Sequence, residues 1–450
     1  MKTNIIVFLI DGLRYDQIHG KRKESFTPNI DSLIKKGTFF TNSYSCADGT
    51  IISLNTIFNS VFSCRTGNRA KRILLEKNNI FDMLKKSNYD LYGLVPRMKI
   101  YETLTKIFKN DKSTYDWIEK NESLQTTLYA KISELLKKIN YSSPSFTYIH
   151  LLDLHPLREG KIPKGLEKFT DEKFGKNNYS KTVSSIDEVL GKIINQIDLS
   201  KTTIILTSDH GERIPFGNVT DMDFEPKFDS TKRIGKKFLP KQTHNISGKV
   251  LSKISRYIKE KKIQENSFDL TDYQKRSRAP YFSLSLYDEV LHVPLLFVGK
   301  NIESKIKNEF IRHVDLYPTI LDLISLNYDN EDIDGKSFFP FENESRNEEL
   351  FSYLHTMPYE KPHRTDSVGI RTEKYKYFRS ENSKDNAYLY NLKDDPFENS
   401  NIIDEQPLLA KKFEEVIDSI EKRKIILNES DISSEEETMI REELKKLGYT

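Results

Sequence analysis

Two short apolar runs, nearly two hundred residues apart, each end in an acid: "IIVFLIDGLRYD" delivers Asp11, and "TIILTSDHGE" delivers Asp209 followed at once by His210. Runs of Ile, Val and Leu without polar alternation suit strands covered on both faces of a parallel sheet. In open α/β sheets, ligands bind in the crevice outside the carboxyl ends of the strands. Two carboxylates and an imidazole brought to such an edge make a plausible half-site for a divalent cation. Taken singly, each Asp also reads as a turn former or helix cap and His210 as a structural histidine. The combination is what favours a metal.

The elements that must position these residues alternate as α/β units do. Strands are expected at 4–10, 89–95, 145–152, 203–207 and 294–299. Between them "TPNIDSLIKKG" carries Thr27 as N-cap, Pro28 at the first helical position, Ile30, Leu33 and Ile34 on one face, and Gly37 as the stop. From Asn178, Val183, Ile186, Leu190 and Ile193 recur at helical spacing, so this helix should pack on the sheet just ahead of Asp209. A stretch at about 214–280, rich in Lys, Asp, Phe and Asn without a sustained period, reads as an insertion. The expected organisation is a catalytic α/β domain over 1–345 and a C-terminal subdomain over 346–450. That subdomain should hold a small antiparallel sheet in "SVGIRTEKYKYFR" and "NAYLYNL", then a terminal helix from Ser433.

Bulk composition narrows the function classes. The 450 residues carry 70 Lys and Arg against 67 Asp and Glu, a net +3. The basic residues are scattered lysines rather than a stripe, so no nucleic-acid partner is expected. Cys46 and Cys64 alone make no disulfide scaffold, which suits a reducing cytoplasm. The run Asn4–Ile10 stops at Asp11 without a small-residue cleavage site, and no stretch approaches the roughly 18 apolar residues of a membrane span, so no transmembrane segment is expected.

The blocks "IIVFLIDGLRYD", "TPNIDSLIKKGTFFTNSYS", "YIHLLDLHP", "TIILTSDHGE", "SLYDEVLHVPLLFVGKN", "HVDLYPTILDLI", "YLYNLKDDPFEN" and "LKKLGY" resemble, in order, those of the sulfatase branch of the alkaline phosphatase superfamily. The resemblance implies a central, mostly parallel sheet flanked by helices, with the small antiparallel subdomain behind it. It also implies a nucleophile at the start of a helix. The family's offsets place it at Thr50 in "TIISLNTIFNS", with Ser53 as the inner serine and Asn59-Ser60 at the family's "TG". Sulfatases carry Cys or Ser in C/S-x-P-x-R, the signal for conversion to formylglycine. Cys46 is followed by "ADGT" and Thr50 by "IISL", so that signal is missing.

On this resemblance Asp11, Thr50, Asp209 and His210 hold one divalent ion. A set with one imidazole favours Mn²⁺ or Zn²⁺ over Ca²⁺, which prefers all-oxygen ligands. The set is similar to that of phosphonate monoester hydrolases and phosphoglycerol or phosphoethanolamine transferases. A metal-dependent phosphoester or phosphonate hydrolase or transferase, acting through a phosphothreonine, is therefore the first expectation. A sulfuric ester hydrolase is the second, and a non-catalytic binding protein on the same fold the third. Thr50, His155 and Arg14 are the expected catalytic residues, His155 as general acid and Arg14 as an orienting group or a structural partner of Asp16. Relatives often carry His or Lys shortly before "SLYDE", where this chain has Phe282, Ser283 and Leu284. Arg213, Lys241 and His244 are the candidates to replace it. The substrate should be a small-molecule or glycan-linked anionic ester.

Overall fold

The computed structural model describes residues 3–66, 72–139, 142–159, 161–212, 286–328, 332–341, 349–356, 366–384, 387–423, 438–440 and 442–443. The chain divides into two units, Met1–Glu212 with Leu284–Thr450, and Arg213–Ser283. The second contains the expected insertion and lies outside the described residues, as do Arg213, Lys241 and His244 and most of the expected terminal helix.

An eight-stranded sheet runs through the first unit. Its strands are β1 (Asn4–Ile10), β2 (Thr38–Tyr44), β3 (Asp90–Pro96), β4 (Thr114–Tyr115), β5 (Ser145–Leu151), β6 (Thr202–Thr207), β7 (Leu295–Gly299) and β8 (Lys305–Arg312), in the order β4-β3-β5-β1-β6-β7-β2-β8. All neighbours are parallel except β7, which runs against both β6 and β2. Every residue of β1, β5 and β6 is buried, as suits strands covered on both faces, and β5 buries Ser145, Thr147 and His150 among its apolar residues. The helices that matter here are α1 (Pro28–Ile34), α2 (Thr50–Asn59), α3 (Asn178–Ile194), α4 (Leu316–Leu323) and α5 (Pro407–Lys422).

Helix α3 starts as its sequence dictates. Asn177 caps it, accepting from the Ser180 backbone N–H, and Val183, Ile186, Leu190 and Ile193 are all buried. Helix α1 departs from expectation at both ends. Thr27 makes no backbone cap and instead donates to the Asp31 carboxylate at 3.2 Å, and the helix ends at Ile34 rather than running to Gly37. Gly37 serves another purpose. A β-carbon there would stand 2.2 Å from the Phe297 carbonyl oxygen, so only glycine lets this turn lie against β7.

A second, antiparallel sheet joins β9 (Ser352–His355), β10 (Ser367–Arg371), β11 (Tyr375–Ser380) and β12 (Ala387–Asn391) in the order β12-β11-β10-β9. Helix α5 covers it with Phe413, Ile417 and Ile420. The boundary expected near residue 345 thus separates two sheets within one unit. They meet at an ionic junction around Lys376, whose ammonium is fully buried and lies 2.5 Å from Asp288, 2.6 Å from Glu398 and 3.0 Å from the Leu286 carbonyl. Arg371 adds a second cation to Asp288 at 2.9 Å and stacks over the Tyr44 ring at 3.3 Å. Burial alone would raise the Asp288 pKa, but Arg371 and Lys376 hold it well below the carboxylate range.

A candidate metal and nucleophile site at the carboxyl edge of the sheet

Sheet register brings the two acids together. Strands β1 and β6 pair in parallel with Leu9 opposite Thr207, so Asp11 and Asp209 stand at equivalent positions two residues further on. Gly12, at φ 73°, takes the left-handed turn that lets the chain leave the strand directly after Asp11, and its N–H reaches back to Asp209 Oδ1 at 3.3 Å. Strand β2 leads through Ser45 to the start of α2, where Gly49 is the extended cap residue and Thr50 the first helical one. Ser45 and Ser53 both donate to the Asp209 carbonyl, at 2.6 and 2.5 Å, and so pin this helix end to the strand that carries the metal-site pair.

The side chains converge. Thr50 Oγ1 donates to Asp11 Oδ2 at 3.0 Å and lies 3.4 Å from His210 Nε2, which is 3.6 Å from Asp209 Oδ2. Candidate ligand atoms of Asp11, Asp209 and His210 all lie within 4.8 Å of one another, and all three residues are buried. Two details suit a cation here. Asp209 Oδ1 accepts from the backbone N–H groups of Gly12 and His210, while Oδ2 has no hydrogen-bond partner among the described residues. Such an orphaned buried oxygen calls for a ligand. His210 Nδ1 lies 2.7 Å from the Gly211 carbonyl, which fixes the proton on that nitrogen and leaves Nε2 as a lone-pair donor facing the cluster. The donor set of two carboxylates, one imidazole and one hydroxyl fits a divalent ion.

Asp11 is further held between two histidines. His155 Nδ1 is 3.7 Å from Oδ1 and His150 Nε2 is 3.7 Å from Oδ2. Burial would raise the Asp11 pKa, but the imidazoles of His150, His155 and His210 around it keep it well below the usual range. His155 opens a short 3₁₀ turn after β5 and packs edge-on against Trp117 with ring centroids 5.2 Å apart. It therefore stands beside the cluster, where the sequence placed it.

Arg14 is held in a buried ion pair. Its guanidinium grips Asp16 through Nε at 3.0 Å and Nη2 at 2.6 Å, and donates to the Glu212 carbonyl at 3.3 Å. That bidentate pair is buried and holds the loop after His210, so of the two roles expected the structural one applies. Asp16→Ala should leave Arg14 buried and uncompensated, costing about 3–5 kcal/mol in a urea titration. Arg14→Lys, which keeps the charge and Asp16 but loses the fork, should cost less.

Cys46 is equally remote from nucleophilic chemistry. It sits in an apolar cluster with Phe62, Val314 and Tyr353, and burial pushes its thiol up to about 11. Two histidines escaped the sequence reading. His150 was absorbed into an apolar strand, and His313 lies beneath α2, with Nδ1 3.2 Å from Ser53 Oγ. Since Ser53 donates to the Asp209 carbonyl, it accepts from His313 Nδ1–H, so Nδ1 carries a proton. Burial, with the charge of His210, lowers the His313 pKa to about 3. A base depressed in the fold contributes stability that is complete above its unfolded pKa of about 6.5 and is lost as pH falls. Unfolding free energy in chelator should therefore drop by about 2 kcal/mol between pH 6.5 and 5 on account of this residue. His313→Asn should flatten the slope by that amount, and an unchanged slope would refute the assignment.

A buried cluster of candidate metal ligands with a threonine at the head of a helix, at the carboxyl edge of a mostly parallel sheet, fits the α/β fold of the alkaline phosphatase superfamily. Residues 3–326 match the family described as Sulfatase, and residues 281–428 match the N-sulphoglucosamine sulphohydrolase C-terminal family. The chain belongs to the Sulfatase family. Among curated proteins it is similar to Arylsulfatase K of Bos taurus, 29% identical over 163 residues, which is 34% of this chain and 29% of that protein. An uncharacterized protein of Haemophilus influenzae matches 47% of this chain at 24% identity, so the chain spans only about a third of these relatives' lengths. Among solved structures, a 2-O GAG sulfatase superposes with a TM-score of 0.64 at 16% identity, covering 94% of this chain and 93% of that one. A second, solved in complex with its substrate D-glucosamine-2-N,6-O-disulfate, gives 0.63 at 15% identity, covering 94% and 98%. These likenesses show the fold.

Proposed function

We propose that this protein is a metal-dependent hydrolase of sulfuric esters carried on a carbohydrate. The observation that carries the reading is the convergence of Asp11, Thr50, Asp209 and His210 at one sheet edge of a Sulfatase-family chain. The arylsulfatase relative and the sulfated-sugar substrate named for a structural neighbour support the sulfuric ester ahead of the phosphoester that the Thr50 context alone put first.

A divalent ion held by Asp11, Thr50, Asp209 and His210 would supply Lewis acidity toward an anionic ester oxygen. The protein's own groups do the rest. Asp11 accepts the Thr50 proton at 3.0 Å and orients the hydroxyl oxygen. The Thr50 oxygen forms a bond to sulfur as the bond to the leaving alkoxide breaks, and His155 gives that alkoxide its proton. Water then cleaves the sulfothreonine and returns the hydroxyl with free sulfate. The exposed amides of the α2 N-terminus and its dipole favour the anionic group beside Thr50.

A phosphoester is the second reading, favoured by one observation: residue 50 is a threonine outside C-x-P-x-R, and a phosphothreonine needs no aldehyde to be hydrolysed or passed to an alcohol. Steady-state rates on an aryl sulfate, an aryl phosphonate and a phosphodiester, with metal analysis of the purified protein, separate these. Aryl sulfate should turn over fastest, with about one ion per chain. Preference for a phosphorus ester would install the second reading. A chain with no stoichiometric ion and no turnover would be a binding protein.

A further inference from the structure

His150 sits in the middle of β5, fully buried, opposite Leu9 and on the same sheet face as the strand position two residues before Asp11. A histidine in a buried strand must satisfy both ring nitrogens without water, and here two phenols do so. Tyr148 OH lies 2.9 Å from Nδ1 and Tyr101 OH lies 3.2 Å from Nε2, the Tyr101 ring standing edge-on at 5.1 Å. A third, Tyr115, ties the strand itself: its hydroxyl donates to the His150 carbonyl at 2.9 Å and accepts from the Leu152 N–H at 3.2 Å. Two buried tyrosines thus fix the imidazole and a third fixes its strand, and Nε2 lies 3.7 Å from the Asp11 oxygen that also accepts the Thr50 hydrogen bond.

The carboxylate of Asp11 can turn about its last torsion, and that torsion is broad. Its ordered orientation therefore needs an outside hold. His155 borders one oxygen and His150 the other, and both nitrogens of His150 meet tyrosine hydroxyls. We propose that His150 is a positioning residue: held by Tyr148 and Tyr101, it locks Asp11 in the orientation that Thr50 and a divalent cation require. The inference rests on the metal reading and assigns His150 no contact with substrate. Outer-shell partners of metal ligands typically govern about ten- to hundredfold in metal affinity, which is the size of effect expected here.

The test uses the full chain stripped with chelator, titrated calorimetrically with Mn²⁺ and with Zn²⁺, alongside the melting temperature in chelator. Tyr148→Phe removes one hydroxyl and keeps the ring, and should weaken metal binding by about tenfold with the metal-free melting temperature unchanged. His150→Phe should weaken it by about a hundredfold. His150→Gln, whose amide N–H reaches the position of Nε2, should restore most of the affinity. Binding within about twofold of the parent by both Tyr148→Phe and His150→Phe would overturn the proposal, as would loss of affinity that merely tracks loss of metal-free stability. Should His150→Phe fail to fold, the Tyr148→Phe and His150→Gln pair decides alone. A parent chain that binds neither ion would sink the metal reading, and this proposal with it. Parent binding with indifferent variants would sink this proposal only.

Discussion

Thr50→Ala should lower turnover at least about a thousandfold while leaving the fold intact. The loss is large because a covalent nucleophile opens a reaction path, and alanine closes it. The structural cost is small for a reason specific to this helix: the cap residue of α2 is Gly49, and the threonine hydroxyl meets the side chains of Asp11 and His210 instead of capping the backbone. Removing it should cost about 1 kcal/mol, against the roughly 5–15 kcal/mol that stabilises a folded domain. Thr50→Ser presents a hydroxyl at the same place and should keep part of the rate. The measurement is steady-state turnover on the best ester of the substrate panel, with peptide mapping for a modified residue 50. Near-normal turnover by the alanine variant would end the covalent mechanism. Formylglycine at the buried Cys46 would place the nucleophile elsewhere.

The second large effect belongs to the strand-end pair. His210→Ala removes an imidazole whose lone pair is turned into the cluster by its own backbone contact, and Asp209→Asn replaces an orphaned anionic oxygen with a neutral amide. Each should weaken divalent-ion binding by at least about a hundredfold, beyond what outer-shell substitutions cause, and abolish turnover at ordinary metal concentration. Excess Mn²⁺ or Zn²⁺ should recover activity in Asp209→Asn more than in His210→Ala, because an amide oxygen still coordinates where a methyl cannot. Calorimetry and elemental analysis of the purified variants provide the check. Full metal occupancy in His210→Ala would remove that residue from the site.

The parts of the fold that the sequence discloses are those where burial dictates composition. Strands β1, β5 and β6 lie between other strands, so both faces select apolar residues and the acids that end β1 and β6 stand out against them. Strand β8 was not legible because it is an edge: "KIKNEFIR" spends Lys305, Ile306 and Glu309 on the exposed or half-exposed side, and its pattern fades into loop chemistry. Strand β2 hid for a related reason, since Thr41 and Asn42 interrupt its apolar run where it pairs irregularly with β8. The site followed the same logic. Asp11 and Asp209 stood out because two apolar strands each end in a carboxylate, and it is their combination with His210 that has few structural excuses. His150 was missed because a histidine inside such a strand has an obvious one, and only the placement of β5 beside β1 shows which residue it faces. Arg14 read correctly as a cation near the site, but the choice between orienting a substrate and gripping Asp16 depends on a torsion that sequence does not encode.

The buried Lys376 has a consequence for how this protein can be taken apart. Its two acids come from different places: Asp288 precedes the central strand β7, and Glu398 follows the last strand of the small sheet. Neither sheet therefore owns the charge it needs to be neutral inside. A fragment ending before β9 would strand Asp288 without its cations, and the small sheet made alone would carry Lys376 with only one acid. The C-terminal part is thus no exchangeable accessory, and a graft from a relative would have to bring its lysine, its arginine and the acid ahead of β7 together.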